Sequence, residues 1–198
     1  MLWFEPPNEL LSWEYIAPKV LDDANIEFLE GFVADNPSHL VKAEVRTGND
    51  NPVDADYRRS DIMFLQDIAY FQSIYDQVLK AALTINSTYF KYSLNYSELF
   101  QYSVYKEDDQ GYYDIHCDSH LRNTSGSTRK LSFSILLTDP SEFEGGDLLL
   151  HTNRDPFKVE LDKGDIVLFP SFIPHSVTPV TKGVRRTLVG WICGPNFV

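Results

Sequence analysis

Phe100-Gln101-Tyr102-Ser103-Val104-Tyr105 is the stretch on which the fold turns. Phe100, Tyr102 and Val104 alternate with Gln101, Ser103 and Tyr105, and alternation of this kind belongs to a β-strand, whose successive side chains point to opposite faces. Strand-like runs follow at 112–117, 131–137, 147–151, 157–161, 166–169, 175–180 and 186–193. Turn signals separate them: Asp108-Asp109-Gln110-Gly111, Gly145-Gly146-Asp147, Lys163-Gly164-Asp165 and Lys182-Gly183. About eight short strands in series predict a sandwich or jelly roll.

Upstream of this stretch the period changes. Leu21, Asn25, Phe28, Leu29, Phe32 and Val33 fall near one face of a helix that Pro37 stops. Ile68, Phe71, Ile74, Tyr75, Val78, Leu79, Ala82 and Leu83 keep the period of a second helix, with Asp67 as its N-cap. Residues 35 to 61 are polar, with Asn, Asp, Gly and Pro, and read as loop. The 198 residues suit a single domain, long enough to bury roughly 70% of its unfolded surface. The expected fold is mainly β with flanking helices (α+β): a helical support region over 1–90 packed on one sheet of a jelly-roll core over 95–195.

A formal net charge of −12 disfavours nucleic-acid backbones and anionic lipid as partners. Arg58-Arg59 and Arg185-Arg186 are candidates for a local basic patch, but each is short. No stretch is long and apolar enough to cross a bilayer, and the N-terminus lacks a basic segment followed by an apolar run. Cys117 and Cys193 have no CxxC spacing, which predicts a reducing compartment without a disulfide framework. A cytoplasmic enzyme is the expectation; the sequence carries no signal for its oligomeric state.

The chemistry sits in Tyr113-Asp114-Ile115-His116-Cys117-Asp118. On a strand, His116 and Asp118 share a face and can offer an imidazole nitrogen and a carboxylate oxygen to one ion, while Cys117 points away. A third donor must come from a distant strand, and His175, after Phe169-Pro170-Ser171-Phe172-Ile173-Pro174, is placed to supply it. Two imidazoles and one carboxylate on one side of a metal leave open positions for O2 and a chelating cosubstrate. By itself an HxD triplet arises often by chance, and its bland reading is a solvated acid on a surface strand. His120 falls in a loop-like stretch, His39 and His151 read as structural or solvent-facing, and Asp114 is either a contact to the metal's ligands or the substrate, or a solvated acid. Arg185 follows the Lys182-Gly183 turn, which would fold the chain back and set it beside the His175 strand. Its guanidinium could pair bidentately with a dicarboxylate. Arg186 has the opposite parity and reads as surface or structural.

Together these residues resemble the prolyl 4-hydroxylase-like branch of the 2-oxoglutarate oxygenases, over roughly residues 95 to 195. Arg129-Lys130-Leu131-Ser132-Phe133-Ser134-Ile135-Leu136-Leu137 is similar to the family's strand after the HxD loop. Phe143-Glu144-Gly145-Gly146-Asp147-Leu148 is similar to its glycine-pair turn, and Gly164-Asp165-Ile166-Val167-Leu168-Phe169-Pro170-Ser171 leads into the distal histidine as in the family. Val180-Thr181-Lys182-Gly183-Val184-Arg185-Arg186 and Trp191 resemble its closing strand. The resemblance implies a double-stranded β-helix with iron(II) on His116, Asp118 and His175. It implies 2-oxoglutarate with its far carboxylate on Arg185, O2 as co-reactant and ascorbate as reductant. Tyr105 matches a tyrosine that contacts the cosubstrate; a second such tyrosine is replaced here by Leu136, and Ser134 or Thr187 would take over its hydrogen bond. Nucleic-acid demethylases of the same superfamily carry a second arginine where this chain has Trp191, which with the acidic charge argues against a base as substrate.

The implied reaction is hydroxylation of an unactivated C–H with release of succinate and CO2. The resemblance favours a prolyl residue of a peptide or protein; a free amino acid or metabolite is the alternative. Tyr112, Tyr113 and Trp191 could wall a prolyl ring, and the polar stretches 46–61 and 119–130 could form lids. A metal-binding jelly roll without turnover, and a zinc hydrolase, are readings from other classes, neither of which uses Arg185.

Overall fold

A computed structural model describes residues 12–43, 57–119 and 126–197. In chain order its strands are β1 (Tyr15–Ala17), β2 (Val41–Lys42), β3 (Arg58–Arg59), β4 (Asp61–Phe64), β5 (Tyr96–Ser97), β6 (Gln101–Lys106) and β7 (Tyr112–His116). These continue as β8 (Ser127–Leu136), β9 (Phe143–Gly145), β10 (Leu148–Leu150), β11 (Phe157–Val159), β12 (Ile166–Pro170), β13 (His175–Val177) and β14 (Val180–Pro195). The helices are α1 (Asp23–Asp35) and α2 (Gln72–Ile85).

Among the described residues the strands form two sheets. The larger runs β1-β12-β8-β14-β6-β4-β2, with β5 and β9 attached to β14; the smaller runs β11-β10-β13-β7-β3. The fold is thus mostly β with few helices, and its arrangement is that of a double-stranded β-helix.

The alternation in β6 sorts the two layers. Tyr102 and Val104, with Phe100 just before the strand, join α1 and α2 in one core with Leu131, Phe133, Ile135, Leu188 and Ile192. Gln101, Ser103 and Tyr105 face the other way, into the space between the sheets, and they too are buried. Tyr105 belongs to a second core with Leu148, Leu150, Val167, Phe169, Ile173 and Val177. The helices therefore cover the outer face of the larger sheet, and its inner face meets the smaller one.

Several local expectations shift. The buried face of α1 is Ile26, Leu29 and Val33 rather than one through Asn25, whose Nδ2 instead donates to Ser73 Oγ at 3.1 Å. Asp22 caps that helix, accepting from Asn25 N at 2.8 Å. Phe28 is exposed and packs on Tyr70, with ring centroids 5.1 Å apart. Asp67 does not cap α2. It accepts from Tyr70 N at 3.0 Å and closes the turn ahead of the helix, which starts at Gln72 and leaves Ile68 exposed.

The 35–61 stretch, read as loop, contributes β2, β3 and the start of β4 where it is described; residues 44–56 lie outside the described residues. Short polar strands such as Arg58–Arg59 carry no alternation of their own and form because β7 offers them an edge. The stretch 119–130 is partly β8, which begins at Ser127, and residues 120–125 are outside the described set. Lys182-Gly183 does not reverse the chain. Gly183 takes a positive φ of 74° inside a continuous β14, so Arg185 lies on the larger sheet, facing His175 on the smaller one rather than beside it. Among the described residues no helix is long and apolar enough to cross a membrane.

Candidate metal centre

His116 ends β7 and His175 opens β13, and the two are paired directly in the antiparallel register. Asp118 follows where the chain leaves β7, its backbone N–H donating to Ser171 O at 3.0 Å. These contacts bring one donor atom from each of the three side chains within 4.8 Å of one another. His116 Nε2 lies 3.7 Å from Asp118 Oδ1, and His175 Nε2 lies 3.4 Å from Asp118 Oδ2.

The other ring nitrogens fix the tautomers. His116 Nδ1 donates to Asp114 O at 2.8 Å and His175 Nδ1 donates to Ile173 O at 2.9 Å. With the proton on Nδ1, each Nε2 turns a lone pair toward the carboxylate, and a cation between them resolves the repulsion. Burial, and then the neighbouring His175, lower the pKa of His116 to about 4, so its ring is neutral and ready to ligate. Burial works against ionisation of Asp118. Hydrogen bonds from Ser132 and Trp191 favour the carboxylate, and a proton on either imidazole favours it further, so the net shift is downward. Ser132 Oγ donates to Asp118 Oδ2 at 2.6 Å. A set of two imidazole nitrogens and one anchored carboxylate fits a divalent ion such as iron(II).

A cavity of about 250 Å³ opens from this cluster between the sheets, and Tyr105, Ser134, Arg185 and Thr187 line it with the three donors. Arg185 is buried, its Cζ 5.7 Å from the Tyr105 ring centroid, and among the described residues no carboxylate pairs with it. Gly146 makes room for it: a Cβ there, at φ +63°, would sit 2.7 Å from Arg185 Cδ. Leu136 does not line the metal cavity; it faces a second cavity of about 640 Å³, which Arg185 also borders.

Of the aromatic candidates, Tyr113 and Trp191 line the metal cavity. Tyr113 stacks on His116 at 3.5 Å between centroids. Tyr112 lies instead under Arg59, 5.3 Å from its Cζ. Asp114 contributes its carbonyl to His116, while its carboxylate accepts from the N–H of Ile115. His151 bonds Ser176 Oγ at 2.9 Å and His39 packs on Phe32, both away from the cluster; His120 is outside the described residues. Arg186 faces Glu30 of α1, as its parity requires.

Four further groups belong to the site: Ser132, Gln101, the Glu98–Arg129 pair and Arg58. Arg129 donates Nε and Nη2 to the two Glu98 oxygens at 2.8 and 2.6 Å and lies 3.9 Å over the Trp191 ring. Strand parity carried the signal for two of them: Gln101 shares a face with Tyr105, and Ser132 shares one with Ser134.

Comparison with known proteins bears on the same residues. The sequence profile of the 2OG-Fe(II) oxygenase superfamily matches residues 100–193. A PKHD-type hydroxylase of Prochlorococcus marinus is 42% identical over 80 residues, 40% of this chain and 35% of that protein. Another from Aliarcobacter butzleri is 33% identical over 119 residues, 58% of this chain and 52% of its own length. The chain thus spans between 35% and 52% of the length of these curated relatives. The crystal structure of a Pseudomonas putida prolyl-4-hydroxylase superposes with a TM-score of 0.69 over 93% of both chains at 19% identity. A Trichoplax adhaerens prolyl hydroxylase, in complex with a hypoxia inducible factor peptide fragment, superposes with a TM-score of 0.70 over 90% of this chain and 82% of its own, at 15% identity.

Proposed function

We propose, from the match of residues 100–193 to the 2OG-Fe(II) oxygenase superfamily, that the chain is an iron(II)- and 2-oxoglutarate-dependent hydroxylase. One substrate C–H, one O2 and one 2-oxoglutarate go to the alcohol, succinate and CO2. The observation that carries this reading is the buried guanidinium of Arg185, ion-paired with no carboxylate among the described residues, in the same cavity as the His116–Asp118–His175 donor set. A buried cation without a counter-charge is costly. A chelating dicarboxylate relieves that cost with one end while its other end meets the metal. Zinc hydrolysis and simple metal storage have no use for such a group.

Iron(II) bound there would supply the redox chemistry, activating O2 as 2-oxoglutarate is decarboxylated. The chain's own residues hold and orient. His116, His175 and Asp118 present three donors, kept in place by Asp114 O, Ile173 O and Ser132 Oγ. Arg185 fixes the register of the cosubstrate through its distal carboxylate, and Tyr105, Ser134 and Thr187 line the same chamber. The cores on both sides of the larger sheet exclude bulk water.

The acceptor we propose is a prolyl residue of a peptide or protein, supported by the likeness to the superposed prolyl hydroxylase structures. Tyr113 and Trp191 supply apolar walls for its ring. A free amino acid or metabolite is the second reading. One domain acting in a reducing, cytoplasmic setting, with ascorbate keeping the metal reduced, completes the proposal; both cysteines are free thiols. The test incubates the chain with ferrous iron, 2-oxoglutarate, ascorbate and proline-containing peptides. Succinate formation stimulated by peptide, with a product heavier by one oxygen atom, supports it. Absence of 2-oxoglutarate consumption under all acceptors rejects it.

A further inference from the structure

Arg58 brings another buried guanidinium into the metal cavity, and the reaction as described leaves it unused. It sits on β3, paired with Tyr113 of β7, and only 9% of its surface is exposed. Its Nε donates to Ser60 Oγ at 2.7 Å, and its Cζ lies 4.5 Å from the Tyr113 ring centroid. Among the described residues no carboxylate pairs with it. The acids lining the cavity are committed elsewhere, Glu98 to Arg129 and Asp118 to the donor set.

A charge count shows what is left over. Iron(II), Asp118, the two carboxylates of 2-oxoglutarate and Arg185 cancel one another, and Glu98 cancels Arg129. Among the described residues the charge of Arg58 remains, in a buried setting where an unmatched ion is strongly disfavoured. Arg58 also lies on the smaller sheet, across the cavity from Arg185 on β14, so one dicarboxylate bound to the metal and Arg185 does not account for both. A planar guanidinium with free N–H donors selects a carboxylate.

We propose that Arg58 recognises a free carboxylate on the very residue that is oxidised, so that the acceptor is a free amino acid or the C-terminal residue of a chain rather than an internal one. This rests on the oxygenase reading and narrows its substrate class.

The test is calorimetric binding to the chain loaded with Mn(II) and N-oxalylglycine, an unreactive analogue of the cosubstrate. The probes are L-proline, L-prolinamide, and a proline-terminated tetrapeptide as acid and as amide. At least one acid binds about tenfold more tightly than its amide, and in Arg58→Gln this preference falls to within about twofold. Arg58→Lys keeps part of it and controls for folding. Preference for free proline points to an amino acid, and preference for the tetrapeptide acid alone points to a C-terminal residue. Lack of any Arg58-dependent preference for an acid overturns the inference. So does an Arg58→Gln variant that loses N-oxalylglycine affinity, since the guanidinium then serves the cosubstrate. Failure of the unmodified chain to bind N-oxalylglycine with Mn(II) is a separate result and rejects the oxygenase reading itself.

Discussion

The hydroxyl of Ser132 on β8 lies 2.6 Å from Oδ2 of Asp118, and the same hydroxyl is 3.0 Å from Ser171 Oγ, just ahead of the β13 histidine. One small side chain on the larger sheet thus ties the carboxylate of the donor set to the segment that delivers His175. Removing it frees Asp118 to rotate without changing any donor. Ser132→Ala is expected to weaken Mn(II) binding about tenfold while leaving the fold intact. Titration of the metal by calorimetry, with circular dichroism as the folding control, checks this.

Arg185 has a different signature. Truncating one partner of a buried charge pair costs about 2 kcal/mol or more, so Arg185→Gln raises the dissociation constant of 2-oxoglutarate by at least about thirtyfold. Metal affinity in the absence of cosubstrate stays as it is. Arg185→Lys recovers only part of the loss, because an ammonium lacks the planar fork. Unchanged cosubstrate affinity in either variant would show that the guanidinium has another role.

Gly146 is held to glycine twice over. Its φ is +63°, and a Cβ would meet Arg185 Cδ at 2.7 Å and Val180 Cγ2 at 2.9 Å. Gly146→Ala is therefore expected to cost about 1 kcal/mol or more in stability and to displace Arg185. A melting curve reads the first effect. A fall in 2-oxoglutarate affinity with metal affinity preserved reads the second.

The acid limit of the fold has a local source at Asp61. Lys42 Nζ stands 2.9 Å from its Oδ1 and Lys106 Nζ 2.6 Å from its Oδ2. Burial raises the Asp61 pKa, but the two ammonium groups outweigh it and the net shift is downward. A carboxylate with a depressed folded pKa stabilises fully above its unfolded value, about 4, and loses that contribution as pH falls through the folded value. Asp61→Asn is accordingly less stable than the parent at neutral pH, and the difference shrinks below about pH 4. Urea melts across that range measure the gap; a constant gap would show that the pair contributes nothing through ionisation.

How much of this was legible in the sequence depends on the residue. His116 and Asp118 announce themselves by their HxD spacing, although β7 ends at His116 and Asp118 is set by its backbone bond to Ser171, and the period of α2 marks Ile74, Val78 and Ala82 as its core. Arg185 was legible as a cation near the donor set, although its strand proved to lie on the opposite sheet from His175. Arg58 was not, because its two-residue strand exists only through pairing with β7 and has no pattern of its own. Asp67 misled for a related reason: an Asx turn ahead of a helix and a true N-cap use the same residue types, and only the hydrogen bond to Tyr70 distinguishes them. The inward polar stripe of Gln101 and Ser103 looks like a solvated strand face until the second sheet is known to cover it.

The most direct test of the whole account is a crystal structure of the chain soaked with Mn(II) and N-oxalylglycine. The account predicts one manganese ion held by Nε2 of His116, Nε2 of His175 and the Asp118 carboxylate, with the analogue chelating it and its far carboxylate on Arg185. Manganese bound elsewhere, or an analogue whose far carboxylate is directed away from Arg185, would contradict it.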